Sequence, residues 1–263
     1  MKPIKLSISI VTYYANQDLT KMLDSLVLAK KQITNLSICG IIIENGFMTP
    51  PAWLSEVCTQ HNFKIILPGK NLGFGTAHNI GLKVNSDYHL IVNADVILDV
   101  NSLKKAISFM EKNENCGLLS PLAHWEDGKR QYLCKRMPKL FDLLLRGFAP
   151  AKIKSLFKNR LDHYEMADVT NESDIYWNPP IVSGCFMFFR TNVWKETNGF
   201  DPKFFLYFED FDLSLRTRKI SDIAYVPQVR IVHHGGNAAK KGYKHITMFV
   251  SSMIYFFVKK KCI

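Results

Sequence analysis

The sequence predicts an α/β protein built on a mostly parallel sheet that helices cover on both faces. Two observations lead to this fold class. Short β-rich segments alternate with segments of helical periodicity through the first half of the chain, as in consecutive βαβ units. Polar and glycine-rich residues gather where several predicted strands end, which is the edge at which such sheets bind ligands. At 263 residues, the chain suits one large domain or two small ones.

The predicted elements of the first half follow one another in a regular order. Strands are expected at 5–14, 36–45, 63–68 and 88–95, and helices at 19–33, 50–61, 75–84 and 101–113. Asp18 is placed to cap the first helix and Asn101 to cap the last. Two prolines suit the start of the second helix.

The second half loses this regularity. Residues 122–178 are irregular, and between Lys135 and Arg160 they carry eight Lys or Arg, with Asp142 as the only acid. The remaining elements are expected to be an apolar segment ("PPIVSGCFMFFR"), an acid-rich run ("FEDFDLSLR"), two short strands around "IAYVP" and "VRIVHH", and a C-terminal helix.

Charge and cysteine usage indicate the partners and the compartment. A formal net charge of +11 attracts polyanions such as nucleic acid, an acidic membrane leaflet or phosphorylated small molecules. The six cysteines lack zinc-like spacing and are interpreted as buried thiols in a reducing compartment. The N-terminus lacks the features of a secretory signal, and the apolar stretch 246–258 is too short to span a bilayer. The expected location is the cytoplasm.

Three carboxylates lie within a run of bulky apolar residues at 205–216. Burial of an ion costs several kcal/mol, so each acid needs a partner or a function. In a helix, Asp212 pairs with Arg216 four residues further on, and Glu209 is placed to cap the helix start. Asp210 then has no structural partner. A carboxylate at a helix start, partly enclosed by aromatic side chains, is what a general base requires.

Three other motifs have both a functional and a structural interpretation. Asn93-Ala94-Asp95 ends an apolar strand, where a carboxylate suits a divalent cation that grips phosphate oxygens, or else caps the next helix. His233 shares a strand face with Ile231 and is either a metal or phosphate contact or a structural histidine. The glycines of "NLGFGTAHNIGL" indicate either a phosphate-binding loop or a tight turn.

Taken together, the motifs resemble the signature of family 2 glycosyltransferases, specifically the rhamnosyltransferase-like branch of bacterial surface-polysaccharide synthesis. The resemblance rests on "SGCFMFFR", "NGFDPKFFLYFEDFDLSLR" and "VPQVRIVHHGG", and on "ISIVTYY", "IIIENG", "NLGFGTAHNIGL" and "IVNADVILD", in the order that the family uses. It covers roughly residues 6–236. It implies a GT-A fold: a Rossmann-like, mostly parallel sheet in one continuous domain, with a donor-binding half at 1–121 and an acceptor-binding and catalytic half at 122–263.

The resemblance also implies an inverting hexosyltransferase that uses a nucleotide sugar and Mg²⁺ or Mn²⁺. Asp210 corresponds to the family's catalytic base, with Glu209 beside it, and Asp95 and His233 correspond to the metal site. The residues expected to contact the nucleotide sugar are Thr12, Tyr13, Glu44, Asn71, Asn93, Asp95 and Gly184.

Three departures from the family pattern bear on the donor and the metal. Asn93 stands where the D-x-D element has its first acid, so metal binding rests on Asp95, His233 and the diphosphate. Tyr14 replaces the usual asparagine after the first strand, and Glu44 stands where aspartate is common. These departures leave both thymine and uracil as candidate bases and leave the strength of metal dependence open.

The leading hypothesis is transfer of L-rhamnose from dTDP-L-rhamnose to a lipid-linked O-antigen or other cell-surface polysaccharide acceptor. A UDP-hexose or UDP-N-acetylhexosamine donor is the alternative within the family. A non-catalytic nucleotide- or polyanion-binding protein is the alternative of another class. Nucleic acid is not expected as a partner, because the sequence shows no RRM, KH or helix-turn-helix pattern and places acids at the presumed site.

The basic segment 135–160 also has two interpretations. It is either a solvated surface or a dock for the lipid-linked acceptor at the anionic inner face of the membrane. In the second case "LFDLLL" and the C-terminal "MFVSSMIYFFVKKK" are expected to contribute apolar contacts with the lipid, although the C-terminal helix equally suits packing on the core.

Overall fold

A computed structural model describes residues 3–235 and 242–261, and Gly236 and Cys262 lie outside the described residues. The strands are β1 (Ile4–Thr12), β2 (Leu36–Glu44), β3 (Phe63–Ile66), β4 (Tyr88–Asn93), β5 (Val96–Leu98), β6 (Cys116–His124), β7 (Arg130–Gln131), β8 (Cys134–Lys135), β9 (Tyr176–Trp177), β10 (Ile181–Val182), β11 (Phe186–Arg190) and β12 (Asp222–His233). The helices are α1 (Gln17–Lys30), α2 (Ala52–His61), α3 (Phe74–His78), α4 (Ser102–Lys112), α5 (Leu140–Phe148), α6 (Ala151–Leu156), α7 (Lys158–Tyr164), α8 (Thr191–Glu196), α9 (Glu209–Thr217) and α10 (Tyr243–Lys261), with a 3₁₀ turn at Asn79–Lys83.

The central sheet is mostly parallel, as predicted. Its main path runs in the order β3-β2-β1-β4-β11-β6-β12-β5, with parallel pairing from β3 to β4 and between β6 and β12. Strand β11 lies antiparallel between β4 and β6 and so joins both halves of the chain in one sheet. The predicted α/β class and single continuous domain are confirmed. The predicted division after residue 121 falls inside β6 and stays a prediction.

The predicted strands and helices of the first half are present; Asn101 holds the N-cap position of α4 as predicted, but Asp18 does not hold that of α1. Asn16 caps α1, because its side-chain oxygen accepts a 2.9 Å hydrogen bond from the N–H of Asp18. Asn101 precedes α4, yet within the described chain its side chain makes no capping hydrogen bond. Instead Asp99 Oδ1 accepts from the N–H of Asn101 at 3.0 Å. A cap depends on the backbone conformation of a single residue, which a sequence pattern locates only to within a residue or two.

The second half contains more regular structure than the sequence predicts. The two short strands expected near the end are one strand, β12, with an irregular register between Val226 and Arg230. A bulge adds residues without ending a strand, which is why the sequence around Pro227 looks like a break. The basic segment 135–160 is largely helical, and the C-terminal helix is present as α10. Within residues 3–235 and 242–261, no helix is long and apolar enough to cross a membrane.

Of the five cysteines among the described residues, four are buried. Cys58, Cys116, Cys134 and Cys185 are buried thiols, as predicted, whereas Cys39 is exposed. Cys39 lies in the first part of β2, where pairing with β3 has not yet begun and alternate side chains face solvent.

The glycines of the predicted phosphate loop pack against other parts of the protein. A Cβ at Gly73 would lie 2.2 Å from the carbonyl oxygen of Phe205, and a Cβ at Gly75 would lie 2.7 Å from Phe200. The N–H of Phe74 donates to the same Phe205 carbonyl at 3.0 Å. The glycines therefore permit a close approach of two backbones, and this loop rests on the segment that leads into α9.

The buried side chain of Glu44 joins the carboxyl ends of β1 and β2. Its two oxygens accept hydrogen bonds from the Thr12 hydroxyl (2.8 Å) and from the backbone N–H groups of Tyr14 (3.0 Å), Ala15 (2.9 Å), Gly46 (2.6 Å) and Phe47 (3.2 Å). Burial alone would raise the pKa of Glu44, but these hydrogen bonds outweigh it and hold the pKa below its usual value. The ionised carboxylate therefore fixes both loops at this edge of the sheet.

We expect Gly73→Ala to destabilise the fold more than Gly69→Ala. Both glycines have positive φ angles, 76° and 73°, which cost a residue with a Cβ about 1–2 kcal/mol. At position 69 no described atom lies within 4 Å of the new methyl group, whereas at position 73 the methyl meets the Phe205 backbone. That conflict adds roughly 1–3 kcal/mol. Urea unfolding measures the two losses, and equal values would contradict the close approach.

We expect Glu44→Gln to lower the free energy of unfolding by about 1–3 kcal/mol near neutral pH. The NH₂ group of glutamine would face backbone N–H groups, and it cannot accept their hydrogen bonds. The folded pKa of Glu44 lies below its reference value of 4.5. Its stabilising contribution is therefore present above that pH and is lost as the pH falls through the folded pKa.

The difference between wild type and Glu44→Gln should stay constant from neutral pH down to the reference pKa of 4.5 and shrink as the pH is lowered further. Urea unfolding at several pH values measures it. The control is Glu56→Gln, on the exposed side of α2, which should change stability little at any pH. A large loss that is independent of pH would show that the charge of Glu44 is not what holds the loops.

Candidate active site

Asp95 and His233 lie side by side at one edge of the sheet. Asp95 is in the turn between β4 and β5, and His233 ends β12, which pairs antiparallel with β5. Asp95 Oδ1 lies 3.4 Å from His233 Nε2, and the Asn93 amide approaches the same nitrogen at 3.5 Å. His233 and Ile231 are both buried, which confirms the predicted strand face. Strand pairing thus brings together residues that are far apart in the sequence.

The surroundings of His233 suit a metal ligand. Its Nδ1 lies 2.8 Å from Gln131 Oε1, an acceptor that keeps the proton on Nδ1 and leaves Nε2 beside Asp95. Burial opposes protonation of His233, but Cys185 and Asp95 outweigh burial and raise its pKa to about 10. A bound cation would replace the second proton, since a ligating imidazole must be neutral.

The donor set fits a cation that is shared with a phosphate group. In the described part of the chain, no group of three His, Cys, Asp or Glu side chains is arranged to hold a metal ion. Asp95 and His233 would supply two ligands if a cation bound here. Mg²⁺ is typically bound by one or two carboxylates together with substrate phosphates and water, so this pair fits such an ion better than an all-protein cage.

Asp210 lies in the first turn of α9 and is held by the loop that precedes β11. The N–H of Gly184 donates to Asp210 Oδ2 at 3.0 Å, and the N–H of Phe211 lies 3.0 Å from Oδ1. Burial raises the pKa of Asp210, while these hydrogen bonds and the guanidinium of Arg146 oppose the rise. The residue is only partly buried, and it lines a cavity.

Glu209 is the first residue of α9 and does not cap it, contrary to the prediction. Phe208 holds the N-cap position, and Glu209 is only 5% exposed, with Oε2 lacking a hydrogen-bond partner among the described residues. Burial and the adjacent charge of Asp210 raise the pKa of Glu209 well above its usual value. Hydrogen bonds and Arg146 stabilise the charge of Asp210 but not that of Glu209, so a proton on this pair favours Glu209. The predicted pair of Asp212 and Arg216 is confirmed, with 2.8 Å between Oδ2 and Nε.

The backbone that leads into α9 is strained. Tyr207 and Phe208 are consecutive non-glycine residues with φ angles of 72° and 65°. A left-handed conformation costs about 1–2 kcal/mol for each such residue, so it persists only where surrounding contacts impose it. Strain of this kind is common beside functional residues, and here it immediately precedes the carboxyl pair.

A cavity of about 710 Å³ joins the two groups of residues. Of the predicted site residues, Glu209, Asp210 and His233 line it. The aromatic side chains of Tyr207 and Phe208 form part of the same wall, in agreement with the predicted aromatic enclosure. The cavity is therefore bounded by a carboxylate on α9 and an imidazole at the end of β12.

A charge network, in which Lys135 is buried and Arg146 is exposed, forms another wall of this cavity, and no sequence motif indicated it. Glu165 Oε1 lies 3.1 Å from Lys135 Nζ and 2.8 Å from Arg146 Nε. Burial lowers the pKa of Lys135 to about 8, and Glu165 partly opposes that effect. The three residues are distant in the sequence, and only the folding of α5 to α7 brings them together.

The residues predicted to contact the nucleoside lie at the carboxyl ends of β1 and β2. Thr12 and Glu44 are buried and bonded to each other, whereas Tyr13 is 61% exposed. Asn71 lies in the glycine loop, where its Oδ1 accepts from the N–H of Gly73 at 2.8 Å. Tyr13 therefore presents an accessible ring, whereas both Glu44 oxygens already accept hydrogen bonds from the protein itself. The nucleoside contacts stay a prediction.

Sequence comparison identifies relatives of this chain. The family model described as "Glycosyltransferase like family 2" matches residues 5–245. The chain is similar to N-acetylglucosaminyl-diphospho-decaprenol L-rhamnosyltransferase of Mycobacterium tuberculosis (strain CDC 1551 / Oshkosh), with 27% identity over 242 residues, covering 85% of this chain and 74% of that protein. It is also similar to rhamnosyltransferase WbbL of Escherichia coli (strain K12), with 24% identity over 196 residues, covering 69% and 68%.

Solved structures share the fold at low sequence identity. TarS 1–349 of S. aureus superposes with a TM-score of 0.58 and 15% identity, over 88% of this chain and 60% of that one. GalNAc-T7 with UDP, GalNAc and Mn²⁺ gives a TM-score of 0.63 and 15% identity, over 89% and 43%. The chain thus spans less than two thirds of either structure. These matches confirm the predicted GT-A fold, and the family match over most of the sequence shows that this chain belongs to the family 2 glycosyltransferases.

Proposed function

We propose that this glycosyltransferase moves L-rhamnose from dTDP-L-rhamnose to a lipid-linked saccharide, with inversion at the anomeric carbon. Two curated relatives are rhamnosyltransferases, and the name of one specifies an acceptor carried on diphospho-decaprenol. The observation that supports the chemistry most directly is the cavity that Asp210 shares with His233. A UDP-sugar donor is the alternative, since a solved structure of the same fold holds UDP-GlcNAc.

Asp210 is the proposed general base. Its ionised carboxylate accepts the proton of the acceptor hydroxyl as that oxygen attacks the anomeric carbon. The new glycosidic bond forms while the bond to the diphosphate oxygen breaks, and the leaving group keeps the electron pair. Attack from the side opposite the diphosphate inverts the configuration in one step. Glu209 keeps its proton, so it adds no second negative charge beside the base.

Asp95 and His233 are the proposed ligands of Mg²⁺ or Mn²⁺. Gln131 orients the imidazole so that Nε2 lies beside the Asp95 carboxylate. When bound, the cation offsets the negative charge that develops on the diphosphate. Because Asn93 replaces a carboxylate of the family pattern, we expect weak binding of the free metal and tighter binding together with the donor.

The nucleotide is proposed to lie along the strand ends that adjoin this metal site. The exposed ring of Tyr13 is the proposed contact for the base, and Thr12 and Glu44 hold the loop that carries it. Asn71 and Asn93 are proposed to lie near the sugar and the diphosphate. The N–H of Gly184 donates to Asp210 Oδ2 and so holds the proposed general base in place.

Helices α5 and α6 carry an exposed apolar surface beside the cavity. This α5–α6 surface consists of large side chains that are 46–79% exposed: Leu140, Phe141, Leu144, Ile153 and Leu156. The same helices line the cavity through Leu143, Arg146 and Lys154. An acceptor with a lipid anchor would therefore enter from the side on which this surface lies.

Fewer unpaired cations surround the α5–α6 surface than the sequence suggests. Of the eight Lys and Arg between 135 and 160, five make ion pairs with acids in the described chain. Lys139, Lys152 and Lys154 make none there, and each is worth about 1 kcal/mol near anionic lipid. We propose that the surface rests on an anionic membrane leaflet, with apolar insertion as the main contribution and these lysines adding to it.

We expect Asp210→Asn to lower sugar transfer about 10²–10⁴-fold while the dissociation constant of the donor changes little. The amide keeps the size of the side chain but cannot accept the proton. The measurement is nucleotide release with N-acetylglucosaminyl-diphospho-decaprenol and Mn²⁺, using dTDP-L-rhamnose and, in parallel, UDP-N-acetylglucosamine.

Glu209→Gln is the matched control for the base, because it preserves a side chain that is already neutral. It should reduce transfer far less than Asp210→Asn. Near-normal transfer by Asp210→Asn would exclude Asp210 as the general base. If the wild type transfers sugar from UDP-N-acetylglucosamine but not from dTDP-L-rhamnose, the proposed donor is excluded.

We expect the protein to sediment with vesicles that contain phosphatidylglycerol and much less with vesicles of phosphatidylcholine alone. Replacing Leu140 and Leu144 together by glutamate should reduce vesicle binding about tenfold or more. Two apolar contacts with the lipid are lost, and two negative charges that repel the anionic lipid are added. The control is Leu28→Glu on α1, a leucine that is 53% exposed and lies outside the α5–α6 surface. Equal loss in both variants would contradict the assignment of this surface.

A further inference from the structure

One face of α10 contacts residues 201–208, the segment that leads into α9. Ser252 Oγ donates to the carbonyl of Leu206 at 2.8 Å, and the Tyr207 hydroxyl lies 2.8 Å from His245 Nδ1. These contacts hold the middle and the end of the segment, immediately before the carboxyl pair of α9.

Aromatic packing reinforces the same contact. Phe249 and Phe256, one on each of two helical turns of α10, both pack on the ring of Phe208, with centroids 5.1 and 5.4 Å apart. Phe256 also meets Phe211 of α9, with centroids 5.9 Å apart. The helix therefore covers the two residues that flank Glu209 and Asp210.

Lys259 anchors the far end of α10 to two carboxylates. Its Nζ lies 2.8 Å from Asp201 Oδ2 and 2.5 Å from Asp212 Oδ1. Asp201 begins the segment, and Asp212 lies in the first turn of α9, two residues after Asp210. One ammonium group thus ties the start of the segment and the first turn of α9 to α10.

The segment needs such support, because part of its backbone adopts a conformation that non-glycine residues disfavour. Tyr207 and Phe208 both have left-handed backbones, which only surrounding contacts can maintain. Most of α10 lies beyond residue 245, the last residue that the family model matches. The support therefore comes from a helix that lies largely outside the matched part of the chain.

We propose that α10 is a positioning element for Asp210, with Lys259 as its anchor. The proposal rests on the function proposed above, in which Asp210 is the base. By holding the strained segment, α10 keeps the carboxylate aligned with the acceptor hydroxyl. Within the described chain, Lys259 is not among the side chains that line the cavity, so its removal takes away no group from the cavity wall.

The test compares Lys259→Met with Lys259→Arg, which keeps the cation, and with Lys260→Met, which changes an exposed neighbour on the same helix. In Lys259→Met, Asp212 still pairs with Arg216 and Asp201 still accepts from Tyr255, so neither carboxylate is left without a partner. The full chain is used for every variant.

Two readouts are measured at a temperature at which circular dichroism shows each variant to be folded. Hydrogen–deuterium exchange should be several-fold faster in peptides covering 201–212 of Lys259→Met and unchanged in peptides covering β1. With the donor and acceptor named above, kcat should fall about tenfold while the KM for the donor stays within about twofold. Lys259→Arg should restore both readouts, and Lys260→Met should match wild type.

The outcomes separate this proposal from the proposed function. Wild-type exchange at 201–212 in Lys259→Met would overturn the role of α10, whatever the activity. Faster exchange with an unchanged kcat would also overturn it, because the helix would then hold the segment without positioning the base. If wild type transfers no sugar, the proposed function fails, and exchange alone decides whether α10 holds the segment. Should Lys259→Met not fold, Tyr255→Phe removes only the hydroxyl that donates to Asp201 and is judged by the same readouts.

Discussion

The geometry of the site depends on the loop before β11, which bonds to both sides of the cavity. Its Gly184 N–H donates to Asp210 Oδ2 at 3.0 Å, and its Cys185 carbonyl accepts from the N–H of Asn93, at the end of β4, at 2.9 Å. A Cβ at Gly184 would lie 3.2 Å from Phe74 and 3.3 Å from the Asp210 Cβ. The insertion of β11 between β4 and β6 therefore determines how far the α9 carboxylate lies from the strand ends.

Local patterns in the sequence were sufficient to predict the features that local contacts produce. The alternation of strands and helices predicted the parallel part of the sheet, because each βαβ unit folds against its neighbour in the chain. The four-residue spacing of Asp212 and Arg216 predicted an ion pair that the structure contains. The cap residues were misplaced at Asp18 and Glu209, since a cap depends on the dihedral angles of one residue more than on its type.

Contacts between distant residues were not predictable in the same way. Gln131 orients His233 across 102 residues, and nothing in the short strand β7 distinguishes it from any other polar residue. Glu165 joins Lys135 and Arg146 only because α5 and α7 fold together. The basic composition of that segment suggested an open cationic surface, yet most of its cations are neutralised by acids that the fold brings to them.

The pairing of β12 with β5, not its irregular register with β6, determines which of two consecutive histidines lies beside Asp95. His233 pairs with Val96 of β5, and the irregularity lies between Val226 and Arg230, a few residues upstream. Residues 227–229 have no partner on β6, so a change in their number alters the bulge, while the pairing of β12 with β5 keeps His233 opposite Val96. Homologues whose bulges differ in length should therefore be aligned by the strand face of their imidazole, not by residue count from the bulge.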